Sequence, residues 1–142
     1  MKTLLTLFVL FFSSSLLAGD DLIGKKLICS FDGNKGFVRT FSFIDENFAH
    51  SFFSHFSQSD GTVYILDDQK YVTYPTIIEI YGSGSGIYTI NRETLGITLT
   101  HSNHDIDFGI CKLFNNSMDE LLKTLKKMHK EKLKILKKNN KI

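Results

Sequence analysis

Four residues in one short stretch have the chemistry to hold a cation. His101-x-x-His104-Asp105-x-Asp107 places two imidazoles and two carboxylates together. Two histidines three apart can share a metal, and His50 and His55 would complete a tetrahedral set if the fold brought them near. Solvated histidines in a hairpin turn are the commoner outcome of such spacing, so His101, His104 and Asp105 are metal candidates only, and no metal and no cofactor is expected.

Gly82-Ser83-Gly84-Ser85-Gly86 has the composition of a phosphate loop. A phosphate loop needs a helix after it, because the helix N-terminus binds the anion. Here a strand pattern follows, Ile87–Asn91, and no Lys-Ser/Thr pair closes the loop. The segment reads as a hairpin tip. No G-x-S-x-G elbow and no H-E-x-x-H motif occurs. The adjacent carboxylates Asp67 and Asp68 would point to opposite faces of an extended chain, which is no acid/base pair. The expectation is a protein that is not an enzyme.

The redox setting follows from the N-terminus. Lys2 precedes the apolar run Leu4–Phe12, then three serines and Leu16-Leu17-Ala18-Gly19. A basic residue, a short apolar stretch and small residues are the layout of a secretory signal peptide. The run falls short of the roughly 20 residues that span a bilayer. Leu17-Ala18-Gly19 also begins a lipoprotein box, but Asp20 stands where that box needs its cysteine. Residues 1–19 therefore read as a leader, and the protein as periplasmic or secreted without a lipid anchor.

Export lets Cys29 and Cys111, the two cysteines of the chain, pair with each other. They lie 82 positions apart, near the first and last extended segments. In the chain-entropy model a bridge over so long a loop contributes about 4–5 kcal/mol. Two buried free thiols are the alternative.

The elements that would position these groups are short strands. Lys26–Phe31, Phe37–Ile44, Phe48–Gln58, Thr62–Leu66, Tyr71–Tyr74, Thr76–Tyr81, Ile87–Asn91, Leu95–Thr100 and Ile106–Leu113 are β-like, with turn residues between them. Phe37, Arg39, Phe41 and Phe43 alternate with Val38, Thr40, Ser42 and Ile44. Phe48, Phe52 and Phe56 recur at even spacing. Asp32–Gly36, Asp45–Asn47, Ser59–Gly61 and Asp67–Lys70 read as turns, and Pro75 as a break. No helical period interrupts the series, which excludes a parallel α/β sheet. A closed meander would set the first and last strands side by side, where the cysteines could meet.

The end of the chain changes period. Ser117-x-x-Glu120 is a capping box. Met118, Leu121, Leu122, Leu125, Met128, Leu133, Ile135 and Leu136 then share one face of a helix, with His129 and Lys132 intruding. Lysines take the other face. Gly19 to Ser117 holds 7 basic and 12 acidic residues, whereas Met118 to Ile142 holds nine lysines and three acids. The formal net charge of +2 thus hides an acidic β domain and a cationic helix. So small a net charge does not point to nucleic acid. A helix docked on the β domain with its lysines in water is one reading. An anionic surface met by Lys123, Lys126, Lys127, Lys130 and Lys134 is the other.

The 142 residues give room for one domain, and 42% hydrophobic with 23% charged residues excludes disorder throughout. Cys29-Ser30-Phe31-Asp32-Gly33 near the start, Ser85-Gly86-Ile87-Tyr88 past the midpoint and Cys111 near the end resemble the motifs of small exported inhibitors of c-type lysozyme. Those are single β-barrels whose first and last strands carry a bridged cysteine pair, and whose Ser-Gly-x-x-Tyr loop enters the lysozyme cleft. The resemblance implies a partner-contacting loop that includes Ser83, Ser85, Gly86 and Tyr88. Ile87 stands where that family has a basic residue, and Arg92 is a loose substitute for its later Lys-Gly motif. The family also lacks a long lysine helix. The layout is similar to lipocalin-type barrels as well, which end in a helix on the wall, though no lipocalin motif occurs.

The combined expectation is mainly β: an up-and-down antiparallel barrel of about eight strands over residues 20–116, then a basic amphipathic helix and tail over 117–142. It would bind a protein partner or a small apolar ligand. A hollow interior lined by Phe37/Phe41/Phe43, Phe48/Phe52/Phe56 and Leu95/Ile97/Leu99 would mark a carrier. A filled one would leave the outer surface and loops to make contacts.

Overall fold

The computed structural model of the chain describes residues 22–31, 37–55, 64–82 and 86–139. The leader over 1–19, the turns at 32–36 and 59–61, Phe56 and the serines Ser83 and Ser85 lie outside the described residues.

Eight strands run β1 Lys26–Phe31, β2 Phe37–Phe43, β3 Phe48–His55, β4 Tyr64–Thr73, β5 Ile77–Gly82, β6 Gly86–Asn91, β7 Gly96–Thr100 and β8 Ile106–Phe114. Each pairs antiparallel with the next, and β8 closes on β1. Closure removes both sheet edges, so every strand has two hydrogen-bonded neighbours. The expected barrel and its C-terminal helix are both present.

The period-two pattern explains the packing. Leu27, Cys29 and Phe31 on β1, Phe41 and Phe43 on β2, Ile78 and Ile80 on β5, Tyr88 and Ile90 on β6, and Ile97 and Leu99 on β7 point inward and are buried. Cys29 and Cys111 occupy directly paired positions of β1 and β8, and their sulfurs lie at bonding distance. Leu22 closes the core where the chain enters the barrel.

Two strands depart from the sequence expectation. The turn expected at Asp67–Lys70 lies inside β4, so the segments ending at Leu66 and beginning at Tyr71 are one strand. The pairing of β3 with β4 shifts between Ala49 and Ser51, and Asp68 has φ 53°. A β-bulge takes up the polar run, and aspartate tolerates the left-handed backbone it needs. Phe48 and Phe52 of β3 also do not line the interior. Phe52 faces outward into the helix interface, Phe48 is exposed, and the small residues Ala49 and Ser51 point in. Ser51 and Ala49 stand opposite Phe41 and Phe43 of β2 and leave room for those rings.

Helix α1 spans Met118–Asn139. Ser117 Oγ accepts the Glu120 amide at 3.3 Å, as the capping box requires. Asp119 and Glu120 sit in the first turn and Lys137 and Lys138 in the last, which suits the helix dipole. Leu121 and Leu125 are fully buried, and Leu125 packs with Val38 of β2 and Phe52 of β3. Each such leucine contributes about 1.5–3 kcal/mol relative to exposure. The helix therefore lies on the β2–β3 wall, with its lysines in water.

Candidate functional site

Among the described residues, large side chains point into the barrel interior. Arg39 points inward from β2 and is buried. Its Nε donates to Ser51 Oγ at 2.8 Å, and its Nη1 donates to the Tyr88 hydroxyl. The guanidinium also lies 4.6 Å from the Tyr88 ring centroid. Phe31 and Phe41 meet the same ring edge-on at 6.2 and 5.3 Å. Nearer the other end, Phe43 and Tyr71 stack edge-on at 4.9 Å. Burial lowers the Arg39 pKa, and the Tyr88 hydroxyl opposes that shift. In the sequence Arg39 alternates with three phenylalanines, but no motif marks it as a site. A charged residue in an inward register was the available signal.

The residues singled out for chemistry are dispersed. His101 Nε2 donates to Asp107 Oδ2 at 2.7 Å across the β7–β8 turn. His104 sits in that turn with φ 69°, and Asp105 accepts from Asn103 at 2.7 Å. His50 lies on β3, on another wall. Among the described residues no three His, Cys, Asp or Glu side chains converge as a metal site. The turn is a hydrogen-bonded hairpin clip.

The partner-loop residues also separate. Gly86 has φ 107°, and a Cβ there would stand 2.1 Å from the Thr100 carbonyl oxygen. Tyr88 is wholly buried, held by Arg39, while Ile87 beside it faces solvent. Arg92 is buried and donates to the Tyr74 carbonyl at 2.7 Å, so it braces the turn between β4 and β5.

The outer wall carries the stronger feature. Alternation turns Ile106, Phe108 and Ile110 of β8 outward, and they are 49%, 63% and 56% exposed. Their cross-strand neighbours on β7 are Thr100, Thr98 and Gly96, none of which covers them. Between this stripe and α1 runs a groove over the outer face of β1. One part, of about 470 Å³, is lined by Ile28, Ile110, Lys112, Phe114, Thr124 and Met128. The next, of about 250 Å³, adds Val38, Glu131, Lys132 and Ile135 and shares Ser30 and Met128 with the first. From Thr124 to Ile135 the helix wall is roughly 16 Å long. The sequence shows the helix and the strand, but not that they flank one groove.

Lys123, Lys126, Lys127, Lys130, Lys134, Lys137 and Lys138 are exposed along α1. No described helix is long and apolar enough to cross a membrane. Comparison with known protein families, with curated proteins and with solved structures finds no match.

Proposed function

We propose that the chain is an exported, non-enzymatic binding module that meets its partner through the outside of its barrel. One contrast carries this reading. The inward space holds Arg39, Phe41, Phe43, Tyr71 and Tyr88, all buried, whereas Ile106, Phe108 and Ile110 stand in water beside an apolar groove. An uncovered apolar stripe on a small domain marks an interaction surface. A carrier of a small apolar ligand would need the reverse arrangement. Export rests on the leader at residues 1–19 and is supported by the Cys29–Cys111 bridge, which persists in an oxidising compartment.

A photo-crosslinking residue at position 108, in protein made by its own host, tests this reading. Adducts at 108 that are missing from the same probe at Tyr74 are expected. Equal adducts at both positions, or none, would refute it. The intact mass of the exported protein should correspond to a chain starting at Gly19 or Asp20.

A second reading is inhibition of c-type lysozyme. A single closed barrel with its first and last strands bridged by Cys29 and Cys111 favours it. Buried Tyr88 would then leave the contact to Ile87 and the segment that joins β5 to β6. Titrating the protein into a lysozyme turbidity assay decides it. Loss of lysozyme activity at about 1:1 stoichiometry supports it, and unchanged activity at large excess removes it.

A further inference from the structure

We infer that the β8 stripe and the groove beside α1 form a docking surface for an anionic phospholipid bilayer. This rests on the outer-face reading above and names its partner.

The apolar part has the shape for shallow insertion. Ile106, Phe108 and Ile110 stand at i, i+2 and i+4 on one face of β8, a line of roughly 13 Å. Ile135, 53% exposed, adds an apolar side chain from the helix side of the groove.

The charge on the groove side is cationic, while Asp105 and Asp107, the latter paired with His101, flank the Ile106 end of the stripe. Lys112 comes from β8 itself and Lys132 from the groove wall. Thr124, Glu131 and Ile135 line the groove, and Lys127, Lys134 and Lys138 follow each of them by three positions. Positions three apart are neighbours on a helix surface, so these lysines form the outer rim on the groove side. Glu131 is the single acidic residue in the groove lining. Lysine heads reach anionic headgroups while apolar side chains enter the acyl boundary, the arrangement of proteins that lie on a membrane.

Charge and topology set aside the rival occupants. A second copy presenting its helix would bring lysines against lysines. A peptide strand has no sheet edge to join, because the barrel is closed.

The chain contains no tryptophan, so Phe108→Trp creates a reporter that sees β8 alone and is blind to any binding by the N-terminal apolar run. With vesicles of equal phosphatidylglycerol and phosphatidylcholine at low salt, its emission should shift to the blue and be quenched by brominated lipids. Partition should exceed that on pure phosphatidylcholine by about tenfold or more. It should fall steeply by about 0.5 M NaCl. Changing Lys127, Lys134 and Lys138 together to Gln should weaken partition more than the same change at Lys126, Lys130 and Lys137 on the far flank. No shift on anionic vesicles, an equal shift on neutral ones, or equal losses in the two triple variants overturns the inference. Should Phe108→Trp stay silent on vesicles while a crosslinker at 108 still captures a protein, the bilayer is the wrong partner and the outer-face reading stands. Silence in both experiments removes both.

Discussion

Arg39 and Tyr88 hold each other inside the barrel through two contacts at once. The Arg39 guanidinium donates to the Tyr88 hydroxyl, and its carbon lies 4.6 Å from the centre of the same ring. A buried cation costs desolvation free energy unless hydrogen bonds and an aromatic face compensate it. Here Tyr88 supplies both, and Ser51 supplies a further acceptor.

A double-mutant cycle measures that relationship. Arg39→Ala leaves the Ser51 and Tyr88 hydroxyls without this donor and opens space, so a loss of about 3 kcal/mol is expected in urea unfolding. Tyr88→Phe keeps the ring and should cost about 1–2 kcal/mol. The coupling between the two should reach about 1 kcal/mol or more; additive losses would mean that the contacts are energetically idle.

Removing the bridge by changing Cys29 and Cys111 together to Ala should lower stability by about 2–5 kcal/mol, read from the denaturant midpoint. Most of the loss should match that of the native chain under reductant. If the native protein alkylates fully without reductant, the two thiols are free.

The helix contributes through its buried face. Leu125→Ala should cost about 2–5 kcal/mol, because Val38 and Phe52 cannot fully close the space. Lys130→Ala, on the exposed face, should stay within about 0.5 kcal/mol. Ending the chain at Asn116 should lower the Tm and promote aggregation through the uncovered β2–β3 wall. A truncated domain as stable and soluble as the full chain would show that the helix is no part of the fold.

Tyr71 gives a pH dependence with a definite sign. Burial, with the charges of Asp45 and Glu46 adding to it, raises its pKa above the ordinary value. Its hydroxyl donates to the Asp45 carbonyl at 2.5 Å. The neutral phenol is therefore favoured in the folded state. Its contribution is complete below the unfolded pKa of about 10 and is lost as pH rises through the higher folded value. Stability should fall on the alkaline side of about pH 10, and less steeply in Tyr71→Phe. An unchanged slope in that variant would assign the loss to other groups.

Gly109 lets β8 approach β1. A Cβ at this position would stand 2.4 Å from the Ser30 carbonyl oxygen and 3.1 Å from the Ile97 side chain. Backbone on one side and core on the other leave little room to yield. Gly109→Ala should cost about 2 kcal/mol or more, seen as a lower Tm or loss of soluble protein.

Much of the fold is legible because local periodicity survives into the tertiary structure. Alternation at Phe41 and Phe43, or at Ile97 and Leu99, can be satisfied only with one face buried. The spacing Leu121, Leu125 and Met128 likewise makes sense only on a helix with a covered stripe. The placement of Cys29 and Cys111 near the ends of the strand series foretold their meeting, since a closed meander must join its first strand to its last.

Other features depend on neighbours distant in sequence. Asp67–Lys70 has turn composition, but pairing with β3 keeps it in a strand and Asp68 absorbs the mismatch. The phenylalanines of β3 are as apolar as a core stripe. Phe48 and Phe52 turn outward, where α1 covers Phe52, and the small residues Ser51 and Ala49 stand opposite Phe41 and Phe43 of β2. Sequence alone determined the strand series, the helix and the division of charge, since propensity and period act over a few residues. The tertiary structure decided which face of β3 is inside, which residue receives the buried Arg39, and that β8 and α1 flank one groove. Those relationships are set by barrel closure and helix docking, which join residues that share no local pattern.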